Sequence, residues 1–272
     1  MDQGNSNKTQ VVKIVGTDQC EAHVHIAVEK ALTIYINGKE FATMVCTPSQ
    51  GKELAVGFLC SEGIINHLDE IKKITFDQRQ GLVWVETSSE RTLSEDLFLK
   101  RYITSCCGKG KSTFYFANDA RLAQKVESQL KIPVQKVSEY INLLEEGSEL
   151  FHLTGGVHGG ALASEGKLDY QAVDIGRHNV LDKLYGQAFL EKVNLSQKII
   201  VFSGRISSEI VIKTAKMGCP ILVGVSAPTD LALRLAEELG ITVIGFARKN
   251  CMNVYTHRER VLVAEAETTF EV

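Results

Sequence analysis

The 272-residue sequence lacks two features that would send a chain to or across a membrane. It contains no run of about 18 apolar residues, the length that a membrane-spanning helix needs. Its first ten residues are polar, so they do not form the apolar core of a secretory signal peptide. These absences predict a cytoplasmic protein with no membrane partner.

The sequence also lacks an excess of basic charge. Its 30 Lys and Arg residues face 33 Asp and Glu residues, a formal net charge of -3. Domains that coat nucleic acid are usually basic, so we expect no nucleic-acid partner, although a local basic pocket for one anionic ligand is compatible with this balance. Hydrophobic residues make up 44% of the chain and charged residues 23%, which predicts a folded protein with a sizeable core.

None of the seven cysteines forms a Cys-x-x-Cys pair, so a zinc knuckle is not expected. An odd, scattered set is not a disulfide framework either. A metal site at His23 and His25 lacks a third ligand at strand spacing. Five cysteines are expected mainly to fill the core, namely Cys20, Cys46, Cys60, Cys219 and Cys251.

The first hundred residues predict a small α+β lobe. Two short apolar runs flank Asn37 and Gly38, a strong hairpin signal. A helix follows Pro48 and ends at Gly63, and residues 71–88 read as two more strands. The first ten residues are expected to be a frayed tail.

The second half alternates apolar runs with helical stretches. Strands are predicted at 199–202, 220–225 and 241–246, and helices at 207–217 and 229–239. Thr229 is expected to cap the second helix through its hydroxyl, and Gly240 to end it. This alternation predicts parallel strands with right-handed crossovers, and such sheets bind ligands beyond the carboxyl ends of their strands.

Basic residues follow those strand ends. Arg205, Arg248 and Lys249 would form an anion pocket if they converge, and Phe246 could stack on a base. Any one of the three basic residues taken alone is more often a solvated surface charge.

Two polar segments are further candidates for chemistry. In the glycine-rich stretch 154–160, His158 could donate a hydrogen bond or move a proton near a ligand, or the stretch is a tight loop with a structural histidine. In the stretch 174–179, Asp174 could orient Arg177 or His178 before an amphipathic helix, and Arg177 could grip a phosphate bidentately.

The stretch 174–179 also has a plainer interpretation, in which Asn179 is simply a helix N-cap and the charges are solvated.

Cys106 and Cys107 lie in a stretch with two glycines and the basic residues Arg101, Lys109 and Lys111. Neighbouring positive charge lowers the pKa of a thiol and favours the nucleophilic thiolate. The pair is therefore a candidate for sulfur chemistry in a loop joining two lobes. Two surface cysteines in a basic linker remain the alternative.

These segments together resemble the formate dehydrogenase accessory sulfurtransferase family (FdhD), from about residue 28 onward. The matching motifs occur in the family's order at residues 48–64, 154–158, 174–183, 203–209, 220–228 and 245–257. The resemblance implies an α/β fold with a cytidine-deaminase-like three-layer α/β/α core in residues 112–272, a smaller N-terminal α+β lobe in residues 1–103, and a catalytic cysteine loop at 104–111. Zinc deaminases of that fold combine His-x-Glu with Pro-Cys-x-x-Cys, and this sequence has no Pro-Cys-x-x-Cys to complete a zinc site, so no zinc is expected.

The resemblance also implies a reaction. Cys106 would take sulfur from a cysteine desulfurase as a persulfide and pass it to the bis-molybdopterin guanine dinucleotide molybdenum cofactor, bound as cargo before insertion into the catalytic subunit of formate dehydrogenase. A GDP-like nucleotide would mimic this cargo, and its two large arms favour a homodimer. The residues expected to bind it are Phe246, Ala247, Arg248, Lys249, Asn250 and Cys251, joined by Arg177, Arg205 and His158.

One departure from the family concerns its usual Cys-x-x-Cys-Gly-Lys motif. Cys106 matches the first cysteine, Lys109 replaces the second, and Cys107 stands where the family usually has glycine. Cys107 either substitutes for the second thiol or is dispensable. Two other functions stay open, a cofactor-binding chaperone that transfers no sulfur and a metal-dependent enzyme acting on nucleotides.

Overall fold

The computed structural model describes residues 4–88, 102–103, 123–248 and 251–263. These residues form a five-stranded and a six-stranded sheet, together with two separate two-stranded pairs. Cys106, Cys107, Lys249 and Asn250 lie outside the described residues, as does all of the predicted cysteine loop. Within the described part of the chain, no helix is long and apolar enough to cross a membrane.

The chain begins with a hairpin of β1 (Ser6–Val15) and β2 (Asp18–Ala27). The two strands pair antiparallel over their whole length, from Ser6 opposite Ala27 to Val15 opposite Asp18. The prediction of a frayed tail over the first ten residues is therefore wrong from Ser6 onward. Strand pairing with a later segment orders these polar residues, and their own pattern carries no sign of it.

The five-stranded sheet has the order β5-β6-β3-β4-β7 and is covered by one helix. The hairpin is confirmed, because Asn37 and Gly38 join its strands with φ values of 48° and 82°. The helix ending near Gly63 and the second pair of strands are confirmed as well. The elements are β3 (Lys30–Ile36), β4 (Lys39–Cys46), α1 (Gly51–Ser61), β5 (Ile71–Asp77), β6 (Leu82–Thr87) and β7 (Tyr102–Ile103).

The six-stranded sheet has the order β10-β9-β11-β12-β13-β14, and β11, β12 and β13 run parallel as predicted. Strands and helices predicted in this half are found within two residues of their expected ends. The helices and strands of this half of the chain are β8 (Ile132–Pro133), α2 (Val134–Glu146), α3 (Glu149–Thr154), β9 (His158–Ser164), β10 (Lys167–Asp174), α4 (Arg177–Leu190), β11 (Ile199–Phe202), α5 (Ser208–Met217), β12 (Ile221–Gly224), α6 (Asp230–Leu239), β13 (Thr242–Arg248), β14 (Cys251–Val254) and β15 (Val261–Leu262). Strands β8 and β15 pair with each other and lie outside the six-stranded sheet.

Helices cover both faces of this sheet. Along β11, successive side chains enter opposite cores, because Ile199 and Val201 pack with α2 whereas Ile200 and Phe202 pack with α4, α5 and α6. Both faces are buried, so the strand sequence is continuously apolar instead of alternating. The result is a three-layer α/β/α arrangement.

Two smaller expectations need correction. Thr229 is the N-cap of α6, but its hydroxyl makes no capping hydrogen bond, because the loop holds Thr229 by its backbone, where the N–H donates to Ile206 O at 3.0 Å. Gly240 ends α6 with a φ of 72°, as predicted. Of the five cysteines expected in the core, Cys46, Cys60 and Cys219 are buried. Cys20 and Cys251 are exposed instead, since each lies on a strand face that is open to solvent.

Helix α4 was predicted to be amphipathic, and this is wrong, because it is enclosed on almost every side. It packs on the six-stranded sheet and also against α1, where Gly57 and Gly186 meet at the crossing. A Cβ on Gly57 would lie 1.8 Å from Asp182 O, and one on Gly186 would lie 1.8 Å from Glu53 O. The two helices therefore touch backbone to backbone, and the crossing joins the two large sheets.

We expect Gly57→Ala to destabilise the protein by at least about 3 kcal/mol, because backbone atoms cannot move aside as a flexible side chain can. Urea unfolding measures the loss, and Lys52→Ala, at an exposed position of the same helix, is the control. An unchanged unfolding midpoint in the Gly57 variant would contradict the close crossing.

Candidate functional site

Several of the polar residues singled out in the sequence lie along one edge of the six-stranded sheet, the edge formed by the carboxyl ends of its parallel strands. The parallel strands β11, β12 and β13 end there. Because β9 runs antiparallel to β11 and pairs with β10, His158 at its start lies opposite Asp174, at the same edge. The edge is thus built from the start of one strand and the ends of four others.

Hydrogen bonds between neighbouring loops fix the backbone of this edge. The Gly159 N–H donates to Ser203 Oγ at 2.9 Å, and the Ser203 N–H donates to Gly159 O at 2.9 Å. The next loops are joined in the same way, because the Ile206 N–H donates to Ala227 O at 3.1 Å. A site on this edge therefore has a preorganised frame.

Three helices start at the edge, α4 at Arg177, α5 at Ser208 and α6 at Asp230. A helix N-terminus carries a partial positive charge and free N–H groups, which favour anions. Helix α4 has no acidic residue in its first turn and begins with the Arg177 guanidinium, so positive charge is concentrated where it starts. The arrangement suits the phosphates of a ligand.

A buried ion pair supports the start of α4. Asp174 and Lys183 are both fully buried, and Lys183 Nζ lies 2.7 Å from Asp174 Oδ2. The Lys183 ammonium also donates to Val173 O at 2.9 Å. The hypothesis that Asp174 orients Arg177 or His178 is wrong, because its carboxylate is taken up by Lys183 and by three neutral donors, namely Thr47 N, Gly176 N and Asn179 Nδ2.

Asn179 is not the N-cap of α4, because Gly176 occupies that position. Its side-chain amide instead donates to Asp174 Oδ1 and to Val45 O, both at 2.9 Å. Thr47 adds a further link, since its Oγ1 accepts from the Ile175 N–H at 3.1 Å. The end of β4 in the five-stranded sheet thus holds the loop that leads into Arg177.

Both histidines of the edge are held in the neutral form. Burial lowers the pKa of His158, and the nearby Arg177 guanidinium lowers it further. Burial, followed by the charges of Lys213 and Arg177, lowers the pKa of His178 to about 3. At neutral pH these imidazoles can donate and accept hydrogen bonds but add no charge.

Three polar atoms beside these groups are buried without a hydrogen-bond partner among the residues that the structure describes. They are Arg177 Nε, His178 Nε2 and Ser207 Oγ. His178 Nε2 approaches Glu209 Oε2 to 3.1 Å but is not aligned for a hydrogen bond with it. Buried polar groups are nearly always satisfied, so unpartnered ones at one edge make that edge a candidate place for a further bonding partner, a water or a ligand.

The segment of the predicted cofactor stretch forms the outer corner of the edge. Phe246 is 46% exposed and has a φ of 51°, a left-handed conformation that turns its ring outward. Arg248 is exposed, and its Nε donates to Val225 O at 3.2 Å. Ala247 is buried in the core, so only its backbone can contact a ligand, whereas Cys251 is exposed.

Arg205, another predicted site residue, is exposed in the loop after β11. Gly160, in the glycine-rich stretch 154–160, serves packing, because a Cβ there would lie 2.6 Å from Val180 Cγ1 of α4. The described ranges contain no group of three or more His, Cys, Asp or Glu side chains that could hold a metal ion.

Sequence reasoning missed the parts played by Ser207, Glu209, Lys213 and Lys183. Ser207 and Glu209 could have been found by the rule that pointed to Arg205, since they follow the same strand end. Lys183 had a different signal, a charged residue among the apolar positions of a helix, and it pairs with Asp174 nine residues earlier.

The fold and the edge define a mixed α/β protein with a preorganised sheet edge that carries basic and neutral polar residues. The FdhD/NarQ family model matches residues 27–262, which is most of the chain. The chain belongs to this family.

Relatives agree over nearly their whole length. The chain is 48% identical over 233 residues to the sulfur carrier protein FdhD of Bacillus subtilis, covering 86% of this chain and 88% of the relative. It is 46% identical over 243 residues to the protein of that name in Geobacillus kaustophilus, covering 89% and 92%.

A solved structure is similar as well. It is that of a candidate formate dehydrogenase accessory protein from Desulfotalea psychrophila, with a TM-score of 0.78 and 26% identity, covering 94% of this chain and 99% of that one. The arrangement of sheets and helices is therefore one that a similar chain adopts.

We expect Lys183→Met to lower the free energy of unfolding by about 3–5 kcal/mol, because it leaves the Asp174 carboxylate buried without a counter-charge. Urea unfolding at neutral pH checks this. Lys198→Met, which removes the partly exposed pair with Asp169, is the control and should cost clearly less. Equal losses in the two variants would contradict the importance of the buried pair.

We expect the protein to lose stability as the pH falls from about 6.5, the unperturbed histidine value, towards 3. In that window the unfolded chain binds a proton at His178 that the folded chain excludes, so acid favours unfolding by up to about 1.4 kcal/mol per pH unit. His158 acts in the same direction.

Urea unfolding between pH 7 and pH 5 tests this pH dependence, which His178→Asn should flatten. His23→Asn, at an exposed position of β2, should leave it unchanged. An equally steep profile in the His178 variant would show that His178 is not held neutral.

Proposed function

We propose that this protein is a sulfurtransferase that carries sulfur as a persulfide on Cys106 and delivers it to the bis-molybdopterin guanine dinucleotide molybdenum cofactor. Relatives 46–48% identical over most of the chain are named sulfur carrier proteins. The observation that carries the cargo assignment is the sheet edge, where Arg177, the starts of three helices and three unpartnered buried polar atoms come together.

Loading of the carrier is an exchange between two sulfur atoms. The Cys106 thiolate attacks the terminal sulfur of a cysteine desulfurase persulfide, and a new S–S bond forms. The donor S–S bond breaks, and its electron pair stays on the desulfurase cysteine. The products are a Cys106 persulfide and a desulfurase thiolate, with no net oxidation. Lys109 and Lys111 favour the thiolate form of Cys106 by their charge.

Delivery breaks the new S–S bond and returns its electron pair to Cys106. The terminal sulfur becomes a sulfide ligand of the cargo by taking two electrons from a reduced molybdenum centre. Cys107 is the nearest thiol in sequence and either assists this step or is dispensable. A disulfide between adjacent cysteines would be strained and easily reduced, so it suits only a transient state.

The cargo is held at the candidate edge in this proposal. Arg177, Arg205 and Arg248 contact phosphates, and the outward ring of Phe246 offers a stacking surface for a base. Neutral His158 is available as a hydrogen-bond donor. Lys249, Asn250, Cys251 and the backbone of Ala247 complete the stretch that the family resemblance assigns to the cofactor, for which a GDP-like nucleotide is a mimic.

The wider setting is also part of the proposal. We infer a cytidine-deaminase-like core, for which the three layers around a mixed sheet are the support, with no zinc involved. The sulfur donor is a cysteine desulfurase and the recipient of the sulfurated cofactor is the catalytic subunit of formate dehydrogenase, both in the cytoplasm. A homodimer suits a cargo with two nucleotide arms.

The experiment is mass spectrometry of the full chain after incubation with a cysteine desulfurase and cysteine, followed by activation of formate dehydrogenase. We expect the mass of one extra sulfur on the peptide with Cys106, and its loss in Cys106→Ser together with activation. Cys20→Ser, which removes an exposed thiol far from Cys106 in the sequence, is the control.

Cys107→Ser shows whether the second thiol contributes. Full activation by the variant in which both Cys106 and Cys107 are replaced would overturn sulfur transfer and leave a cofactor-binding chaperone. The chaperone is the second candidate because the polar edge by itself requires only binding.

A further inference from the structure

A carboxylate lies among the basic groups of the edge, where it opposes the binding of phosphate. Glu209 lies in the first turn of α5, two residues after Ser207. Its Oε2 is 3.1 Å from His178 Nε2, and its side chain is 36% exposed, so it is open to a ligand.

The other carboxylates at this edge are already used. Asp174 is fully buried and saturated by Lys183 and three neutral donors. Asp230 is 80% exposed and pairs with Arg234 at 2.8 Å. Among the residues that the structure describes at the edge, Glu209 is thus the accessible carboxylate that lies beside His178.

An ionised carboxylate accepts hydrogen bonds and donates none, and it repels phosphate. In an anion site it contributes to ligand binding only where the ligand presents N–H donors to it. Two adjacent donors in one plane match its two oxygens best. Guanine has such a pair in its N1–H and exocyclic amine, whereas hypoxanthine keeps one of them and adenine lacks the arrangement.

The neighbouring histidine leaves this acceptor free. His178 is buried enough to stay uncharged at neutral pH, so it does not form a full ion pair that would compete with the ligand for Glu209. Its close approach restricts where the carboxylate can lie. The uncharged His178 imidazole therefore borders the carboxylate without pairing with its charge.

We propose that Glu209 binds the 2-amino-4-oxopyrimidine edge of the cargo and so selects guanine, with His178 positioning its carboxylate. This inference rests on the proposed function, because it specifies how that cargo is recognised. The same edge occurs in the pterin part of the cofactor, so the test has to distinguish the two sources.

The test is calorimetric titration of the full chain with GDP, IDP and ADP at neutral pH. For the unchanged protein we expect GDP to bind about 10- to 100-fold more tightly than IDP or ADP, the range for a hydrogen bond to a charged group. Glu209→Gln should remove most of this preference and leave ADP affinity equal or slightly higher, because phosphate repulsion falls. Glu238→Gln makes the same charge change at an exposed position near the far end of α6 and should change nothing.

The pterin source is separated by a parallel titration with a pterin that has no phosphate, with GDP as competitor. Weakening of GDP but not of the pterin by Glu209→Gln supports guanine recognition, and the reverse overturns it in favour of the pterin. GDP binding with its preference intact in Glu209→Gln overturns this inference alone. Failure of the unchanged chain to bind GDP at all would overturn the nucleotide site of the proposed function and this inference together.

Discussion

The buried Asp174 carboxylate is the group on which the rest of this structure depends. It receives the Lys183 ammonium and three neutral donors, and these come from both large parts of the chain, because Thr47 follows β4 whereas Gly176 and Asn179 flank the start of α4. A buried charged group that water cannot reach needs an opposite charge and hydrogen bonds of this kind. The same bonds therefore satisfy a buried ion, connect the two sheets and fix the backbone from which the Arg177 side chain projects. The stability of the fold and the position of Arg177 therefore depend on one set of contacts.

That arrangement explains how a chain of net charge -3 can present an edge that suits an anion. The positive character is local, and it comes from helix starts and a few guanidinium groups. Burial keeps His158 and His178 uncharged, so the edge offers directional hydrogen bonds beside the charge of Arg177. Unpartnered polar atoms in the same place are costly in the free protein, and a ligand that bonds to them recovers that cost on binding.

Much of this was accessible from the sequence, for identifiable reasons. The α/β order followed from short apolar runs with helices between them, and the location of the edge followed from parallel topology, which brings strand ends together whatever the intervening residues. The roles of Asp174 and Asn179 were not accessible, because their partners Thr47 and Val45 lie more than a hundred residues earlier in the chain. The formation of strand β1 was missed for a similar reason, since it depends on pairing with β2. Local pattern identifies elements, whereas long-range polar contacts decide what a given side chain does.

The position of Glu209 affects which ligand the proposed site would select. A site built only for phosphates gains nothing from a carboxylate beside its basic groups, because the carboxylate repels the ligand and weakens the field of its neighbours. A ligand that is anionic at one end and carries paired N–H donors at another turns this conflict into discrimination, since an analogue without the donors meets the repulsion and lacks the compensating bonds. For the proposed cargo, the mixture of charges at the edge therefore restricts the choice of ligand more than its basic residues alone would.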